Sequence, residues 1–330
     1  MSILACCVAT KSSIPRSTLE LLSAARSLSQ QLGQIPVQAL LIGFEVKERA
    51  SNLIRHGADE VLLAEHPRLE HPEDEVVLRL VEEVVHRFTP QVVLLPHDEL
   101  SGGHVAPRLA HRIKAGIVTD CTGFEVKDGD IRWLRPVYGG KAMAFFRAKG
   151  TVQIATIRSR AFEPLPEDPL RQGEVYELDI DVEAFVPSVS VVERVETIEA
   201  EKGPSLDRAE IIISGGRGMG SAEGFKALHE LARLLGAAVG GSRPAADMGW
   251  VPHSRLIGQT GKIVAPKLYI AVGISGASQH MVGASSSKTI VAINKDPDAP
   301  IFKLAHIGVV SEWEKIIPPL IQSIKEICKQ

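Results

Sequence analysis

The sequence predicts an α/β protein of two domains, a parallel sheet with added antiparallel strands and then a doubly wound sheet. Apolar strand-like runs alternate with amphipathic helical patterns from residue 3 to residue 113, which is typical of parallel sheets covered by helices. Short β-like runs follow Gly116, and a new strand–turn–helix pattern starts at Ala209. A length of 330 residues also favours two domains over one. We place the N-terminal α/β domain at residues 1–203 and the C-terminal domain at 204–330.

The N-terminal domain begins with four strands and four helices in alternation. Strands are predicted at the buried apolar runs Ile3–Ala9, Val37–Gly43, Glu60–Ala64 and Val92–Pro96. Helices are predicted where apolar residues recur every three or four positions, at Ser17–Leu32, Val46–His56, Glu73–Phe88 and Gly103–Ile113. Gly33 and Gly57 follow two of these helices and suit helix ends.

The stretch after Gly116 predicts antiparallel strands appended to the parallel sheet. The β-like runs are Thr122–Val126, Ile131–Tyr138, Ala142–Lys149 and Thr151–Ile157. The sequence KDGD at residues 127–130 provides a hairpin turn between the first two. The remaining predicted segments are a loop at Phe162–Gln172, a strand at Val186–Ile198 and an interdomain linker at Glu199–Glu210.

The C-terminal domain repeats the strand–turn–helix pattern. Its predicted strands are Ala209–Ile213, Ala237–Gly240, Leu268–Ile274 and Lys288–Ile293. Ser221 can cap a helix that runs to Leu235, with Gly236 just past its end. Ser275 and Gly276 follow the third strand and precede a short helix, an arrangement that suits an anion. Because neighbouring strands of an open α/β sheet end at one edge, we expect a ligand crevice there.

Composition excludes several classes of protein. Hydrophobic residues make up 45% and charged residues 23% of the chain, as in ordinary globular proteins. A net charge of −3 and an aromatic content of 5% give no sign of a nucleic-acid partner. No apolar run approaches the ~20 residues that a membrane-spanning helix needs, so no membrane insertion is expected. The N-terminus has no signal-peptide pattern.

The cysteines and acidic pairs predict no metal centre and no catalytic group. The four cysteines have no C-x-x-C spacing, which favours buried reduced thiols and excludes a visible iron–sulfur site. Asp296 and Asp298 in NKDPDAP are better explained as a polar turn with Asx bonding than as an acid–base pair. SGGH at residues 101–104 is interpreted as a structural turn rather than as a phosphate loop.

Four motifs in the second half occur in one order. They are SGGRGMGS at 214–221, GSRPAADMGW at 241–250, GQTGKIVAP at 258–266, and GISGASQHMVG at 273–283 with KTIVAINKDPDAPIF at 288–302. Together they are similar to the signature of the electron transfer flavoprotein alpha subunit. The resemblance covers most of the chain after Arg208 and is looser before it.

This resemblance implies an FAD-binding C-terminal domain and an N-terminal domain that packs against a beta subunit and holds no cofactor of its own. It implies a heterodimer that carries electrons from flavin dehydrogenases, such as those of fatty acid oxidation, to a quinone oxidoreductase. Such a carrier has no substrate of its own and no catalytic residue. The cytoplasm of a prokaryote is the expected location.

The resemblance also implies which residues contact FAD. Arg217 is placed at the phosphates, Arg243 and His280 supply fixed positive charge near the flavin pyrimidine ring, and the hydroxyl of Thr260 bonds flavin N5. Asn294, Glu312 and Trp313 lie on the adenosine side, where Glu312 and Trp313 replace residues common in the family. The full implied set is Arg217, Ser242, Arg243, Ile257, Gly258, Gln259, Thr260, Ser275, Gly276, Ala277, Ser278, Gln279, His280, Asn294, Glu312 and Trp313.

Three alternatives stay open at the level of sequence. A bifurcating flavoprotein subunit, whose partner accepts NADH, shares the same motifs. An NADP-dependent dehydrogenase or transhydrogenase-like domain is weakened because the glycine turn reads G-R-G-M-G rather than G-x-G-x-x-G, although Arg243 could hold a 2′-phosphate. A non-redox nucleotide-binding or assembly module is the third. GQTGK does not match a Walker motif, because it lacks the required span before GK and the following Ser or Thr.

Overall fold

The computed structural model describes residues 1–11, 13–138, 140, 142–189, 203–206 and 209–327. The chain divides into two compact units, Met1–Arg194 and Val195–Gln330. The predicted boundary between residues 203 and 204 stays a prediction, since residues 190–202 lie outside the described part. Half of the predicted linker, residues 199–202 and 207–208, also lies outside it.

The first unit is built on a sheet of seven parallel strands. The described part of this unit has ten strands: β1 Ile3–Val8, β2 Val37–Gly43, β3 Glu60–Glu65, β4 Val92–Pro96, β5 Gly116–Cys121, β6 Gly123–Lys127, β7 Asp130–Val137, β8 Ala142–Phe146, β9 Gln153–Ile157 and β10 Glu174–Glu177. The large sheet has the order β10-β3-β2-β1-β4-β9-β5, and each neighbouring pair is parallel. Strands β6, β7 and β8 form a separate antiparallel sheet.

Helices cover both faces of the large sheet. They are α1 Arg16–Gln31, α2 Ala50–Arg55, α3 Asp74–Phe88 and α4 Ala106–Arg112, with a π-helical turn at Glu99–Val105. Alternate residues of β1 show the two cores, because Ile3, Ala5 and Cys7 pack with α1 whereas Leu4 and Cys6 pack with α3. A strand buried on both faces reads as a continuous apolar run, which is why these strands were predictable.

The antiparallel sheet confirms the predicted hairpin. Lys127 pairs with Asp130, and both turn residues have positive φ, +54° at Asp128 and +81° at Gly129. This is the backbone of a two-residue turn that matches the twist of its strands.

One prediction for this unit is wrong. Thr151–Ile157 was expected to be antiparallel, but β9 lies parallel between β4 and β5, with Ile154, Ala155 and Thr156 fully buried. Of the predicted Val186–Ile198 strand, residues 186–189 are not strand, and residues 190–198 lie outside the described part of the chain. Strands β5 and β10 were not predicted.

The second unit is one sheet of five parallel strands. They are β11 Ile211–Gly215, β12 Ala238–Gly241, β13 Leu268–Val272, β14 Thr289–Asn294 and β15 Ile307–Val310, and the helices are α5 Ala222–Leu235, α6 Arg243–Asp247, α7 Ser278–Met281 and α8 Ile317–Ile327. The order is β12-β11-β13-β14-β15. Helices α5 and α8 pack on one face through Phe225, Leu228 and Ile317. The other face, with Tyr269 and Ile274, is covered by loops and α7. Strand β15 and helix α8 were not predicted.

Helix α5 begins and ends as predicted. Ser221 Oγ accepts the backbone N–H of Gly224 at 3.3 Å, which satisfies one unpaired donor of the first turn. Gly236 ends the helix with a φ of +61°. Helix α5 therefore starts directly after the glycine turn that follows β11.

The strand order creates a topological switch point between β11 and β13. The chain leaves β11 towards β12 on one side and later returns to β13 on the other. In open α/β sheets of this order, ligands bind outside the carboxyl ends of the strands at the switch point. A ligand site is therefore expected at the loops that follow β11 and β13.

Candidate functional site

The loops after β11 and β13 lie against each other without room for side chains. The N–H of Gly216 donates to the carbonyl of Val272 at 2.8 Å, and that of Gly218 to the carbonyl of Gly273 at 3.0 Å. A Cβ added at Gly216 would lie 2.2 Å from the carbonyl oxygen of Gly273. A Cβ added at Gly218 would lie 2.8 Å from the Cα of Gly273. Glycine at these positions permits the close approach of the two loops.

Arg217 stands between these glycines as an exposed cation. It begins a 3₁₀ turn, Arg217–Met219, and its guanidinium has no ion-pair or hydrogen-bond partner among the described residues. A guanidinium offers five donors in a planar fork that matches phosphate oxygens. Its fork is therefore available to an anion at the switch point.

The loop after β13 presents a row of unused backbone donors. In the described part of the chain, none of the five N–H groups from Ser275 to Gln279 has an acceptor. Gly276 has a φ of +82°, and Ile301 donates its N–H to the Ser275 carbonyl at 3.0 Å, which fixes the turn. Successive N–H groups in such a turn make an anion-binding concavity.

The corresponding loop of the first unit differs. After β4, the Asp98 carboxylate accepts the N–H of Ser101 at 2.6 Å, and the Asp98 carbonyl accepts those of Gly102 and Gly103 at 3.0 and 2.8 Å. The small residues of SGGH thus form a turn that satisfies its own donors. This agrees with the structural role predicted for them.

Arg243 and Thr260 are brought together by the loop that follows β12. The Arg243 Nε donates to the Asp247 carboxylate at 2.9 and 3.2 Å, and its Nη1 donates to Thr260 Oγ1 at 3.2 Å. Because the Thr260 oxygen accepts this bond, its own hydroxyl hydrogen can be donated elsewhere. Asp247 was missed at the level of sequence, although its i,i+4 spacing from Arg243 on a helix is a recognisable signal.

The segment GQTG is held against α7. Gln259 donates its N–H to the Gln279 carbonyl at 2.7 Å, and buried Ile257 donates to the Gly241 carbonyl at 3.0 Å. Gly258 has a φ of +142°, and an added Cβ there would lie 2.9 Å from the Gln279 oxygen. The loops after β12 and β13 are thereby joined around Thr260.

His280 is buried, with 7% of its surface exposed, and its Nε2 lies 2.8 Å from the Tyr269 hydroxyl. Burial lowers the pKa of His280 from 6.5 to about 4, so the ring is neutral at pH 7. The expectation that His280 supplies fixed positive charge is therefore wrong, because desolvation disfavours the imidazolium. Arg243 is the cation of this part of the site.

This depressed pKa predicts a loss of stability in acid. Between pH 6.5 and about 4, the unfolded chain binds a proton at His280 that the folded chain does not. The free energy of unfolding should therefore fall as the pH falls through this window, by up to about 1.4 kcal/mol per pH unit, with no contribution above it. Denaturant unfolding of the wild type and His280→Gln from pH 7 to pH 4 measures the difference. Equal slopes in the two proteins would contradict the assignment.

The side chain of Asn294 stabilises the turn that follows β14. Its amide nitrogen donates to the Ile274 carbonyl at 2.8 Å, and its oxygen accepts the N–H of Asp296 at 3.0 Å. Asp296 Oδ1 in turn accepts the N–H of Asp298 at 3.0 Å. The prediction that NKDPDAP is a polar turn with Asx bonding is confirmed.

Glu312 and Trp313 lie just after β15 at the same edge of the sheet. Exposed Glu312 pairs with Lys315 at 2.9 Å, and this hydrogen bond lowers the pKa of its carboxyl. The Trp313 side chain reaches the start of α5, where its Cζ2 would lie 3.2 Å from a Cβ added at Gly224. Both residues are therefore near the helix that follows the glycine turn.

Several buried polar atoms at this edge have no hydrogen-bond partner in the described structure. They are Ser242 Oγ, His280 Nδ1 and Trp313 Nε1. Leaving one buried donor or acceptor unpaired costs about 1–3 kcal/mol, so such atoms usually belong to a ligand site. With Arg217 and the N–H row, they fit a group that carries phosphates at one end and a polar ring at the other.

No cluster of three or more His, Cys, Asp or Glu suited to a metal ion occurs among the described residues. Within the same residues, no helix is both long enough and apolar enough to span a membrane.

Comparison with known proteins gives matches along nearly the whole chain. Residues 4–183 match the family described as electron transfer flavoprotein domain, and residues 205–285 match the electron transfer flavoprotein FAD-binding domain. The electron transfer flavoprotein subunit alpha of Thermoanaerobacterium thermosaccharolyticum is 40% identical, over 94% of this chain and 93% of the relative. That of Bacillus subtilis is 39% identical over the same shares. Subunit LctC of an Acetobacterium woodii lactate dehydrogenase (NAD(+),ferredoxin) is 37% identical, over 93% of this chain and 73% of the relative.

Proposed function

Because the chain belongs to the electron transfer flavoprotein alpha-subunit family and its cofactor is FAD, we propose that it carries electrons from flavin dehydrogenases to a quinone oxidoreductase or other acceptor. In this proposal it works as a heterodimer with a beta subunit and turns over no substrate of its own. The observation that carries the proposal is the switch point of the second sheet. There, partner-free Arg217 stands beside a row of unused N–H groups.

The pyrophosphate of FAD would be held at this switch point. The N–H groups from Ser275 to Gln279 would donate to its oxygens, and the Arg217 fork would neutralise its charge. The close packing of the glycine turn against Gly273 leaves backbone rather than side chains at this surface. Asn294, Glu312 and Trp313 would lie towards the adenosine end.

The flavin ring would lie at the Arg243–Thr260 pair. Bound FAD supplies the redox chemistry, by accepting and returning electrons. The Thr260 hydroxyl, whose oxygen is occupied by Arg243 Nη1, would donate its hydrogen to flavin N5. Arg243 would favour the negative charge that develops on the ring during reduction. Ser242, whose buried Oγ has no partner in the described structure, would bond a polar atom of the cofactor.

The beta subunit would dock on the antiparallel sheet of the first unit. Leu134 and Pro136 of β7 stand opposite Phe145 and Met143 of β8, and we call these four residues the hairpin face. Phe145 is 52% exposed and Met143 51% exposed, on a strand that ends its sheet. Exposed aromatic and methionine side chains on an edge strand are typical of protein interfaces.

Replacing Phe145 with aspartate should weaken heterodimer formation by about 10- to 100-fold, since an aromatic anchor at an interface contributes about 2 kcal/mol or more. Titration calorimetry of the two purified subunits measures the affinity. Leu170→Asp is the matched control, because Leu170 is 87% exposed in a loop of the same unit and lies outside the hairpin face. Equal affinities of the two variants would contradict docking at this face.

A second candidate is a subunit of an electron-bifurcating complex, and the similarity to LctC favours it. The name of that relative couples NAD(+) and ferredoxin, and the match spans nearly this whole chain. The NADP-dependent alternative loses its main support, because the guanidinium of Arg243 is already engaged by Asp247.

Stepwise reduction of the protein, co-expressed with a neighbouring beta-like gene and followed by absorption, tests these proposals. One FAD per heterodimer, reduced in two one-electron steps by a flavin dehydrogenase, would support the simple carrier. Two FADs reduced by NADH would favour the bifurcating complex. A colourless heterodimer that cannot be reconstituted with FAD would refute both.

A further inference from the structure

The second unit contains a buried hydrogen bond that connects its core to the candidate site. Tyr269 lies in β13 and is fully buried, and its hydroxyl is 2.8 Å from Nε2 of His280 at the start of α7. The other ring nitrogen, Nδ1, is buried without a partner. One side of the imidazole is therefore bonded to the core, and the polar atom on its other side is unused.

The protonation states of His280 and Tyr269 determine which ring nitrogen of His280 is a hydrogen-bond donor. The ring is neutral, so one nitrogen carries a hydrogen and the other a lone pair. Burial raises the pKa of Tyr269, so its phenol stays protonated. Ser214 Oγ lies near enough to act on Tyr269 but forms no hydrogen bond of normal geometry.

The hydrogens of Tyr269 and His280 can be arranged in two ways, and one of them leaves fewer hydrogen-bonding groups without a partner. If His280 Nε2–H donated to the phenol, the O–H of Tyr269 would have only Ser214 Oγ beside it, with which it forms no hydrogen bond of normal geometry. If the phenol donates to Nε2, Tyr269 is satisfied, and the ring hydrogen resides on Nδ1. In the second arrangement, the unsatisfied donor of the Tyr269–His280 pair is on the side of the ring that faces away from Tyr269.

His280 lies beside the GQTG loop. The Ile257 carbonyl is close enough to raise the pKa of His280, which favours a hydrogen on the ring nitrogen next to it. A Cβ added at Gly258 would lie 3.3 Å from the His280 Cα. His280 thus adjoins the loop that carries Thr260.

We propose that Tyr269 is a positioning residue for this site, whose hydroxyl holds the neutral His280 ring in the Nδ1–H tautomer so that the ring presents a donor, not an acceptor, to the cofactor. The identity of the ligand in this inference rests on the proposed function, whereas the tautomer of His280 does not depend on it. A donor at this position bonds an electron-rich oxygen or nitrogen of the flavin more strongly as the ring gains negative charge. Tyr269 therefore acts on the cofactor through His280, without contact of its own.

Histidine ¹⁵N NMR on the full chain without FAD tests the tautomer, with the His280 signals assigned through His280→Gln. The expected wild-type spectrum has a protonated Nδ1 and a bare Nε2 at pH 7. Tyr269→Phe should shift both signals towards a mixture of tautomers, whereas Ser214→Ala should leave them unchanged. A wild-type ring protonated at Nε2, or a tautomer lost in Ser214→Ala but kept in Tyr269→Phe, would overturn the proposal.

A second measurement separates this inference from the proposed function. In the FAD-loaded heterodimer, Tyr269→Phe should lower the flavin midpoint potential and raise the FAD dissociation constant by about tenfold, the size of one hydrogen bond. An unchanged potential and affinity in Tyr269→Phe would overturn the role of Tyr269. A wild-type chain that binds no FAD refutes the proposed function and, with it, the positioning role, while the tautomer is read independently from the NMR spectrum.

Discussion

Replacing Gly276 with alanine is expected to abolish FAD retention and to lower the free energy of unfolding by about 4 kcal/mol. Gly276 has a φ of +82°, and an added Cβ would lie 2.4 Å from both the Cα and the nitrogen of Ile301. A left-handed alanine costs about 1–2 kcal/mol, and forced overpacking costs about 1–3 kcal/mol more. Because the colliding atoms are backbone, no side chain can rotate away, and the row of N–H groups must move.

Gly220→Ala is the matched control for this substitution. Gly220 has nearly the same φ, +78°, and lies in the neighbouring glycine turn, but an added Cβ there meets nothing within 4 Å. Because its ψ of −31° differs from the left-handed helical value, Gly220→Ala should lose only the cost of a sparsely populated backbone conformation, about 1–3 kcal/mol, and should keep FAD. Denaturant unfolding and the flavin content of the purified heterodimer measure both effects. If the two variants have equal free energies of unfolding and equal flavin contents, the close contact with Ile301 does not shape the site.

Local chemistry made part of the fold predictable. Ser221 and Gly236 mark the ends of α5 by capping and by left-handed backbone, and both signals act within one turn of helix. Asp128 and Gly129 mark the hairpin in the same way. These features were predicted because their cause lies in neighbouring residues.

Long-range pairing was harder to predict. Strand β9 follows an antiparallel hairpin in sequence yet inserts between β4 and β5, and nothing local distinguishes the two choices. Thr156 within it is polar but fully buried, because its hydroxyl bonds His97 and the N–H of Asp120. Strand β10 is exposed along its whole length and has no apolar run to reveal it.

The residues of the candidate site also fall into those with a local sequence signal and those whose role depends on the fold. Arg217 and Gly276 could be selected from the sequence because glycine turns after strands suit anions. Asp247 and Tyr269 were missed, because their importance comes from partners that only the fold supplies. In the sequence, Tyr269 reads as one more buried residue of an apolar strand, and its bond to His280 depends on how α7 packs over β13.

Replacing Arg217 with alanine should raise the FAD dissociation constant by about 10- to 100-fold and leave the fold unchanged. A hydrogen bond to a charged group contributes about 1.5–3 kcal/mol, and Arg217 would make such bonds to the phosphates. Its side chain is exposed and has no partner in the described structure, so its removal should change the free energy of unfolding by less than about 0.5 kcal/mol.

Arg233→Ala is the control for net charge, because exposed Arg233 lies in the last turn of α5, at the far end of that helix from Arg217. Flavin fluorescence titrations of the heterodimer variants, stripped of FAD, give the affinities. Arg217→Lys should fall between wild type and alanine, since it keeps the charge but loses the planar fork. The loss in Arg217→Ala should also shrink at high salt, where the phosphate contact is screened. Equal affinities for Arg217→Ala and Arg233→Ala would show that the phosphates lie elsewhere than at the switch point of the second sheet.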